Sequence, residues 1–299
     1  MPDFELSITI CSWNTSDELA ACLRSIEAVR SEANFEVIVV DNASEDGSPD
    51  MVEKEFPWVC LHRMVENLGF GKGHNFAFTK ASGKLLMPLN SDTVVKPGAI
   101  KQLIEFMNQN VNVGIVGPKL LNPDGSLQYS CRKFPTPAAA LFRNTPLGKF
   151  FPNTRFVKEY LMTEWKHDEP MDVDWVSGAA FVMRRELYDK IGGFDERFFM
   201  YMEDVDLCMR THSASYRVVY FPVPTITHAI GRSTDRMPQK MIRQFHSSMF
   251  LFYKKHYVPR TVFVFRPFAF ALAWMFVKLR QFAITTKNKL DAWKSRRRR

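Results

Sequence analysis

Two carboxylates in the first third of the chain follow short apolar runs that are typical of buried strands. Asp41 comes directly after residues 35–40, and the tripeptide Asn90-Ser91-Asp92 follows residues 85–89. Oxygen ligands on a short loop, completed by substrate phosphates, are a common protein site for Mg²⁺ or Mn²⁺. Such an ion neutralises a departing diphosphate as a Lewis acid. We therefore predict that Asp92 is a metal ligand, the alternative being an ordinary turn or cap residue.

A second group of acids, Glu203, Asp204 and Asp206, follows an aromatic and sulfur-rich stretch at residues 198–202. A carboxylate beside such a wall has its pKa raised by desolvation, which suits a general base near neutrality. The alternative is a set of acids placed favourably at the start of a helix, with Asp206 paired to Arg210 four residues on. That alternative accounts for Asp206, so we expect one base and one positioning residue among Glu203 and Asp204.

His228 follows a predicted strand at residues 216–221 and lies in a predicted loop with Gly231 and Ser233. A single histidine is more often a hydrogen-bonded structural residue than a ligand. As a neutral imidazole beyond a strand it is nevertheless a candidate ligand for the ion on Asp92.

The glycines of residues 67–73 are spaced GxGxG, which does not match the dinucleotide-binding pattern GxGxxG. The residues after the first strand, 11–15, contain no glycine, which argues against a Rossmann dehydrogenase. A flexible turn is the plain interpretation of residues 67–73, and a helix carrying His74 and Asn75 is expected to follow.

Strands and helices alternate in units of about 30 residues, which predicts a parallel sheet flanked by helices. Ligands of such sheets bind beyond the carboxyl ends of the strands, so Asp41 and Asp92 should face one crevice. We predict strands at residues 6–10, 35–40, 58–63 and 85–89, with helices at residues 15–30, after Ser48, after residue 73 and from Pro97.

The second half is less regular. Residues 134–169 predict a mobile loop over the cleft, and residues 173–183 a buried strand interrupted by the small residues at 177–180. Short helices are expected at residues 186–191 and from Glu203 to about Thr211.

The C-terminal part of the chain is basic and apolar. Much of the net charge of +8 lies beyond residue 286, and residues 261–279 are almost wholly apolar apart from Arg266-Pro267 and Lys278. The uninterrupted run is shorter than the roughly 20 residues of a spanning helix. Aromatic residues flanked by cations favour an amphipathic helix at a membrane surface. A buried helix or an oligomer interface is the alternative, and nucleic-acid binding is disfavoured.

Two further features predict a cytoplasmic location, and together with the C-terminal segment they predict a protein associated peripherally with the inner face of the membrane. The five cysteines are scattered without a zinc or CxxC spacing, which fits a reducing compartment. The first residues, 1–5, lack a basic region followed by an apolar one, so no secretory signal is expected.

Eight stretches in order over residues 6–256 resemble the family 2 glycosyltransferases with a GT-A fold, and most closely the bacterial rhamnosyltransferase-like branch. The stretches are residues 7–14 (SITICSWN), 39–44 (VVDNAS), 66–70 (ENLGF), 89–92 (LNSD), 175–179 (WVSGA), 192–195 (GGFD), 201–210 (YMEDVDLCMR), and His228 with Gly231 and Ser233.

The resemblance implies an α/β GT-A fold, a mostly parallel sheet flanked by helices, and the composition of the C-terminal segment adds an amphipathic helical extension. We therefore expect a catalytic domain at residues 1–256 and a membrane-associating helix and basic tail at residues 257–299. Within the domain, residues 1–120 would bind the nucleotide and residues 121–256 the acceptor.

The resemblance also implies roles for single residues. Asp92 and His228 would ligate Mg²⁺ or Mn²⁺ on the donor diphosphate, and Asp204, with Glu203 beside it, would deprotonate an acceptor hydroxyl in an inverting displacement. The substrate-binding residues would be Asp41 at the base or ribose, Asn67 and Gly69 beside the nucleotide, Asn90 at the donor, Trp175 and Gly178 on the acceptor side, and Asn14 and Asn75 as further contacts.

The sequence departs from the family's DxD pattern at Asn90, where an amide replaces the first acid and removes one negative charge from the metal site. The expected donor is dTDP-L-rhamnose, and the expected acceptor is a saccharide or polyprenyl-linked saccharide of a cell-surface polysaccharide. The motifs do not separate this donor from a UDP- or GDP-sugar. A catalytically silent module that binds nucleotide or glycan would lack Asp92 or Asp204, and both are present. A nucleotidyltransferase would carry a basic Gly-rich loop after its first strand, and residues 11–15 are not such a loop.

Overall fold

A computed structural model describes residues 4–136, 155–229 and 238–297. The helices are α1 (Ser16–Glu27), α2 (Ser48–Glu55), α3 (Phe70–Lys80), α4 (Ala99–Gln109), α5 (Arg155–Leu161), α6 (Arg185–Ile191), α7 (Glu203–Ser213), α8 (Pro238–His256) and α9 (Arg266–Arg297). The strands are β1 (Leu6–Ser12), β2 (Phe35–Asp41), β3 (Cys60–Arg63), β4 (Leu85–Asn90), β5 (Thr93–Val95), β6 (Val113–Leu121), β7 (Leu127–Gln128), β8 (Cys131–Arg132), β9 (Met171–Asp172), β10 (Trp175–Val176), β11 (Val182–Arg184) and β12 (Arg217–His228). Short 3₁₀ turns lie at Val258–Arg260 and Phe263–Phe265.

The first of two compact units is built on a mixed, mostly parallel sheet in the order β3-β2-β1-β4-β11-β6-β12-β5. Strands β1, β2, β3 and β4 are parallel, β12 is parallel to β6, and β11 runs antiparallel between β4 and β6. In this register Ser12 pairs with Asp41 and Cys11 with Asn90. The polar residues at the carboxyl ends of β1, β2 and β4 therefore lie side by side at one end of the sheet.

Strand β2 shows why the central strands are apolar almost without interruption. Val37 and Val39 face a core shared with the buried side chains of α1 and α4, whereas Ile38 and Val40 face a second cluster with Ala77 of α3. Both faces of the strand are covered by helices, so no alternation of polar residues is required.

The predicted elements of the first half are confirmed, with corrections at two places. Helix α4 begins at Ala99 after an N-cap at Gly98, so Pro97 precedes the helix and is not its first residue. The other correction is at residues 67–73. Helix α3 begins at Phe70, so Gly71 and Gly73 are helical and not part of a flexible turn. A Cβ on Gly73 would lie 2.8 Å from Sγ of Cys11 on β1, and one on Gly71 would lie 3.1 Å from Cβ of Phe194. Glycine at these positions allows the helix to approach its neighbours closely.

Three predictions in the second half are corrected. The expected strand at residues 173–183 is divided between β10 and β11, which belong to different sheets. Residues 155–161 form a helix within the stretch predicted as a loop, and residues 137–154 lie outside the described residues. Strand β12 continues to His228, which is therefore a strand residue, while Gly231 and Ser233 also lie outside the described residues.

The second compact unit contains α8 and α9, so the predicted boundary at residue 256 falls within it. Met249 and Tyr253 of α8 form a buried cluster with Val277 of α9. Pro267 is the second residue of α9, a position where its missing N–H costs no hydrogen bond. Among the described residues, no helix combines the length and apolar character needed to cross a bilayer.

Candidate active site

Asp41 lies at the carboxyl end of β2 and is almost wholly buried. Its Oδ2 accepts a hydrogen bond from the backbone N–H of Ser44 at 3.0 Å. Its Oδ1 is buried and has no hydrogen-bond partner among the described residues. A buried carboxylate oxygen without a donor is costly, so this atom is suited to accept a hydrogen bond from a ligand.

Asn14 follows β1 and closes the loop beside Asp41. It adopts a φ of 53°, and its Oδ1 accepts a hydrogen bond from the backbone N–H of Glu45 at 2.7 Å. Its own N–H donates to Oγ of Ser44 at 2.9 Å. The structure therefore brings Asn14 and Asp41 to one loop pair.

Asn42 joins the same pair to residues 67–69. Its Oδ1 accepts from the N–H of Leu68 at 3.2 Å, and Oδ1 of Asn67 accepts from the N–H of Gly69 at 2.9 Å. Gly69 has a φ of +79°, and a Cβ there would lie 2.3 Å from the carbonyl oxygen of Phe199. No other residue fits this position without a backbone shift.

The end of β4 places a histidine and a carboxylate together. Nε2 of His228 lies 3.3 Å from Oδ1 of Asp92 and 3.1 Å from Nδ2 of Asn90. Both Asp92 and His228 are about nine-tenths buried. The carbonyl oxygen of Asp92 also accepts from the N–H of Ala229, which ties the loop after β4 to the end of β12.

The donor atoms of Asp92 and His228 fit a divalent cation. Mg²⁺ takes oxygen or imidazole ligands at about 2.1 Å, so two adjacent ligands of one ion lie about 3 Å apart. The observed 3.3 Å between Oδ1 and Nε2 agrees with that separation. Within the described ranges no group of three or more His, Cys, Asp and Glu side chains could hold a metal. Phosphates of a substrate, or water, would complete the coordination.

Asp204, at the start of α7, is held against the same strand end. Its Oδ2 accepts from the N–H of Gly178 at 2.9 Å, and its Oδ1 from the N–H of Val205 at 2.8 Å. The segment carrying Gly178 lies along β4, since the N–H of Asn90 donates to the carbonyl oxygen of Ala179 at 2.9 Å. A Cβ on Gly178 would lie 3.4 Å from Cβ of Asp204.

Burial raises the pKa of both neighbouring acids. Desolvation raises the pKa of Asp204, while hydrogen bonds from Gly178 and Val205 and the charge of Arg132 act in the opposite direction. For Glu203, burial and then the carboxylate of Asp204 raise the pKa well above its ordinary value. Oε2 of Glu203 is buried without a hydrogen-bond partner among the described residues, whereas Asp204 is partly exposed.

Three predicted residues serve the framework in this structure. Trp175 is buried, donates from Nε1 to the carbonyl oxygen of Lys133 at 2.9 Å, and carries the guanidinium of Arg132 on its ring at 5.3 Å. Asn75 bonds to Phe194 through both its amide oxygen and its nitrogen, and to Tyr188 and Glu196. Asp206 pairs with Arg210 at 2.8 Å, which confirms the expected structural role.

Sequence reasoning missed Asn42 and Gln128 as parts of this site. Gln128 contacts the ring and the backbone of His228, at 2.7 and 3.1 Å. Asn42 adjoins Asp41 in a stretch that was already singled out, so its neighbourhood was the available signal. Gln128 carries no such signal, because 100 residues separate it from His228.

Sequence comparison identifies relatives over most of the chain. The profile of "Glycosyl transferase family 2" matches residues 7–202. The N-acetylglucosaminyl-diphospho-decaprenol L-rhamnosyltransferase of Mycobacterium tuberculosis is 31% identical over 261 residues, covering 83% of each chain. Rhamnosyltransferase WbbL of Escherichia coli is 25% identical and covers 72% of this chain and 80% of its own.

Solved structures with the same fold include two transferases bound to Mn²⁺. The mannosyltransferase PcManGT from Pyrobaculum calidifontis, in complex with GDP-Man and Mn²⁺, superposes with a TM-score of 0.56 at 18% identity, over 99% of this chain and 77% of that one. GalNAc-T7 with UDP, GalNAc and Mn²⁺ gives a TM-score of 0.57 at 14% identity, over 76% of this chain and 44% of that one. At these identities the comparison establishes a shared GT-A fold.

Proposed function

This chain belongs to the family 2 glycosyltransferases, and from that premise we propose that it is an inverting, metal-dependent enzyme that transfers L-rhamnose from dTDP-L-rhamnose to a lipid-linked saccharide. The observation that carries the proposal is the grouping of Asp41, the Asp92–His228 pair and Asp204 at the edge of the sheet where the parallel strands have their carboxyl ends. That edge is where ligands of parallel α/β sheets bind.

The nucleotide binds beside Asp41 in this proposal. The partnerless Oδ1 of Asp41 accepts a hydrogen bond from the base or the ribose. The loops of Asn14 and Asn67 border the nucleotide, and Gly69 lets the latter loop lie against the backbone at Phe199. Asn75 supports this region indirectly, because its amide forms hydrogen bonds that hold helix α3 against residues 188–196.

Asp92 and His228 hold the divalent cation, Mg²⁺ or Mn²⁺. The bound ion supplies positive charge that stabilises the departing nucleoside diphosphate. Asn90 brings a neutral amide to the same place, so it is available to hydrogen-bond to the donor sugar or diphosphate. Because Asp92 is the one carboxylate of the pair, the donor's own phosphates provide much of the negative charge around the cation.

Asp204 is the general base. An acceptor hydroxyl attacks the anomeric carbon, its oxygen forms the new glycosidic bond, and the bond to the diphosphate oxygen breaks on the opposite face. The hydroxyl proton passes to the Asp204 carboxylate. The raised pKa of Asp204 strengthens it as a base, and Gly178 and Val205 fix its orientation. Glu203 remains buried behind it as a positioning residue, and Trp175 supports Arg132 on the acceptor side.

The substrates are inferred from the relatives. The mycobacterial relative is a rhamnosyltransferase acting on N-acetylglucosaminyl-diphospho-decaprenol by its name, and it aligns over most of both chains. An acceptor of that class, a sugar joined to a polyprenyl carrier through a diphosphate, would be presented at a membrane. The five cysteines are all unpaired, which supports a reducing, cytoplasmic location on the inner side of that membrane.

The exposed face of α9 supports docking on an anionic membrane surface. Phe268, Leu272, Met275, Leu279 and Phe282, hereafter the apolar stripe, recur at helical spacing and are all exposed. Residues 262–265 of the preceding turn are also apolar and exposed. Residues 238–299 contain fifteen lysines and arginines and a single acid, Asp291. Two copies joined through the stripe would bring like charges together, whereas anionic lipid headgroups would neutralise them.

The donor is tested by measuring thermal unfolding of the purified protein with dTDP-L-rhamnose, UDP-N-acetylglucosamine or GDP-mannose, each with Mn²⁺. We expect the largest stabilisation with dTDP-L-rhamnose and transfer to a polyprenyl-diphosphate-linked N-acetylglucosamine. Stabilisation by a UDP- or GDP-sugar alone would overturn the choice of donor. Unchanged transfer with excess chelator would overturn the metal requirement.

Membrane docking is tested by flotation with vesicles. The full chain should float with phosphatidylglycerol-rich vesicles and much less with pure phosphatidylcholine. A Phe268→Glu, Phe282→Glu double variant should stay unbound, while Val111→Glu, an exposed apolar residue of the sheet unit, should float as the wild type does. Dimerisation of the wild type that the double variant abolishes, with no vesicle binding, would show that a second copy covers the stripe.

A further inference from the structure

Gln128, the last residue of β7, is buried and makes three hydrogen bonds with its amide. Its Nε2 donates to the carbonyl oxygen of His228 at 3.1 Å and to Oδ1 of Asn122 at 2.9 Å. Its Oε1 faces Nδ1 of His228 at 2.7 Å. One side chain thus contacts both the ring and the backbone of a proposed metal ligand.

The backbone contact fixes which way the amide of Gln128 points. A backbone carbonyl oxygen only accepts hydrogen bonds, so the atom facing the carbonyl of His228 must be the NH₂ group. The amide oxygen must then face the imidazole. Because an amide oxygen has no proton to give, Nδ1 of His228 must carry the proton of their hydrogen bond.

A neutral imidazole carries one proton, so Nε2 keeps its lone pair. That lone pair can accept a hydrogen bond from Nδ2 of Asn90 at 3.1 Å, and it lies 3.3 Å from Oδ1 of Asp92, an approach of two acceptors that a bound cation would relieve. With the opposite tautomer, the lone pair of Nδ1 would face the oxygen of Gln128 at 2.7 Å, which is repulsive. The contacts of Gln128 therefore select the tautomer in which Nε2 can bind a cation.

We propose that Gln128 is a positioning residue that sets the tautomer and the ring orientation of His228 for divalent metal binding, a role that rests on the metal site of the proposed function. Hydrogen-bond partners behind a ligating histidine fix its tautomer and raise its affinity for the ion. Gln128 itself contacts neither the substrate nor the ion.

The turn before β7 holds Gln128 in place. The N–H of Asn122 donates to the carbonyl oxygen of Ser126 at 2.9 Å, and Nδ2 of Asn122 donates to Oγ of Ser126 at 2.9 Å. These bonds leave Oδ1 of Asn122 facing the amide of Gln128. Gly125, with a φ of +83°, allows the tight turn. The turn thus helps to position the imidazole of His228 through the side-chain amide of Gln128.

The experiment compares Gln128→Met, which removes the whole amide, with Gln128→Glu, which keeps an oxygen facing Nδ1 but loses the two hydrogen bonds that Nε2 donates. Mn²⁺ affinity is measured by electron paramagnetic resonance titration in the presence of saturating dTDP. We expect Gln128→Met to bind Mn²⁺ about 10- to 100-fold more weakly, and Gln128→Glu to bind within a few-fold of the wild type. Asn122→Ala removes only one acceptor of Nε2 of Gln128 and leaves the contact between Oε1 of Gln128 and the His228 ring. It should therefore change the affinity less than Gln128→Met does.

A second readout needs no metal. In protein labelled with ¹⁵N in its seven histidines, the signals of His228 are identified by their loss in His228→Ala. The wild type should show the Nδ1–H tautomer, and Gln128→Met should show a mixture or the Nε2–H form. Thermal unfolding of each variant confirms that it is folded.

The two failures are distinguishable. If the wild type with dTDP binds no Mn²⁺, the metal site of the proposed function fails. If it binds Mn²⁺ and Gln128→Met binds it equally well, or if metal-free His228 shows the Nε2–H tautomer, the role of Gln128 is wrong while the proposed function stands.

Discussion

Replacing Asp204 by asparagine should abolish turnover and leave the donor bound. Loss of a positioned general base lowers the rate by about 10² to 10⁴-fold. The structure adds a cost in stability, because the two carboxylate oxygens of Asp204 each accept a backbone N–H, from Gly178 and from Val205. An amide can accept one of these bonds and must turn its NH₂ group toward the other donor. One unsatisfied buried donor costs about 1–3 kcal/mol.

Glu203→Gln is the matched control for this substitution. Burial, and then the neighbouring Asp204 carboxylate, raise the pKa of Glu203 well above its ordinary value of 4.5, which favours the neutral form of this side chain in the folded protein. A glutamine resembles that neutral acid in size and in hydrogen bonding. We expect Glu203→Gln to keep activity within about an order of magnitude of the wild type.

The assay is single-turnover transfer with saturating donor, accompanied by donor binding and thermal unfolding for both variants. We expect the donor dissociation constant of Asp204→Asn to stay within a few-fold of the wild type, and its unfolding midpoint to fall by several degrees. Turnover above a tenth of the wild-type value in Asp204→Asn would refute Asp204 as the base. A larger rate loss in Glu203→Gln than in Asp204→Asn would assign the base to Glu203.

Three further outcomes are expected. Glu203 should contribute stability that is lost as pH rises above 4.5, by about 1.4 kcal/mol per pH unit at most, until its folded-state pKa is reached, so a denaturant series at several pH values should show a smaller loss with rising pH for Glu203→Gln than for the wild type. Gly69→Ala should lower the unfolding midpoint by several degrees, because its φ of +79° and the carbonyl of Phe199 exclude a side chain, and calorimetry should show weaker nucleotide binding. Asn90→Asp should bind Mn²⁺ about tenfold more tightly in the same titration, since it adds a carboxylate beside His228; unchanged affinity would place Asn90 outside the metal's surroundings.

The sheet was predictable from the sequence because the central strands are short, continuous apolar runs. Strand β2 is covered on both faces, and this requires the continuous apolar run that marked residues 35–40. Asp41 and Asn90 are the last residues of β2 and β4, and the register places both beside the end of β1. These are local signals, and they place the first half of the site.

The features that were missed depend on contacts between distant segments. Strand β12 was expected to stop at residue 221, before Pro222 and Pro224. It continues to His228 because its pairing with β6 shifts between Phe221 and Thr225, where the prolines need no ladder hydrogen bond. Gln128 lies on a strand of two residues, which is too short to produce a periodic pattern. Neither the continuation of β12 nor the contact of Gln128 has a local signature.

The amide at residue 90 gives the departure from DxD a physical meaning. In this structure Nδ2 of Asn90 lies within hydrogen-bond distance of the Nε2 lone pair that Gln128 exposes. Oδ1 of Asp92 already lies 3.3 Å from the same Nε2, so a second aspartate would add another negative charge beside that lone pair and destabilise the metal-free site further. With asparagine, Nδ2 can donate a hydrogen bond to that lone pair in the empty site, and Asp92 is the one carboxylate of the pair that attracts the cation. The cation should then bind mainly together with the donor diphosphate and leave with the product nucleotide. On this reasoning, Mn²⁺ affinity should rise strongly with added dTDP in the wild type and much less in Asn90→Asp, so equal coupling in both proteins would contradict it.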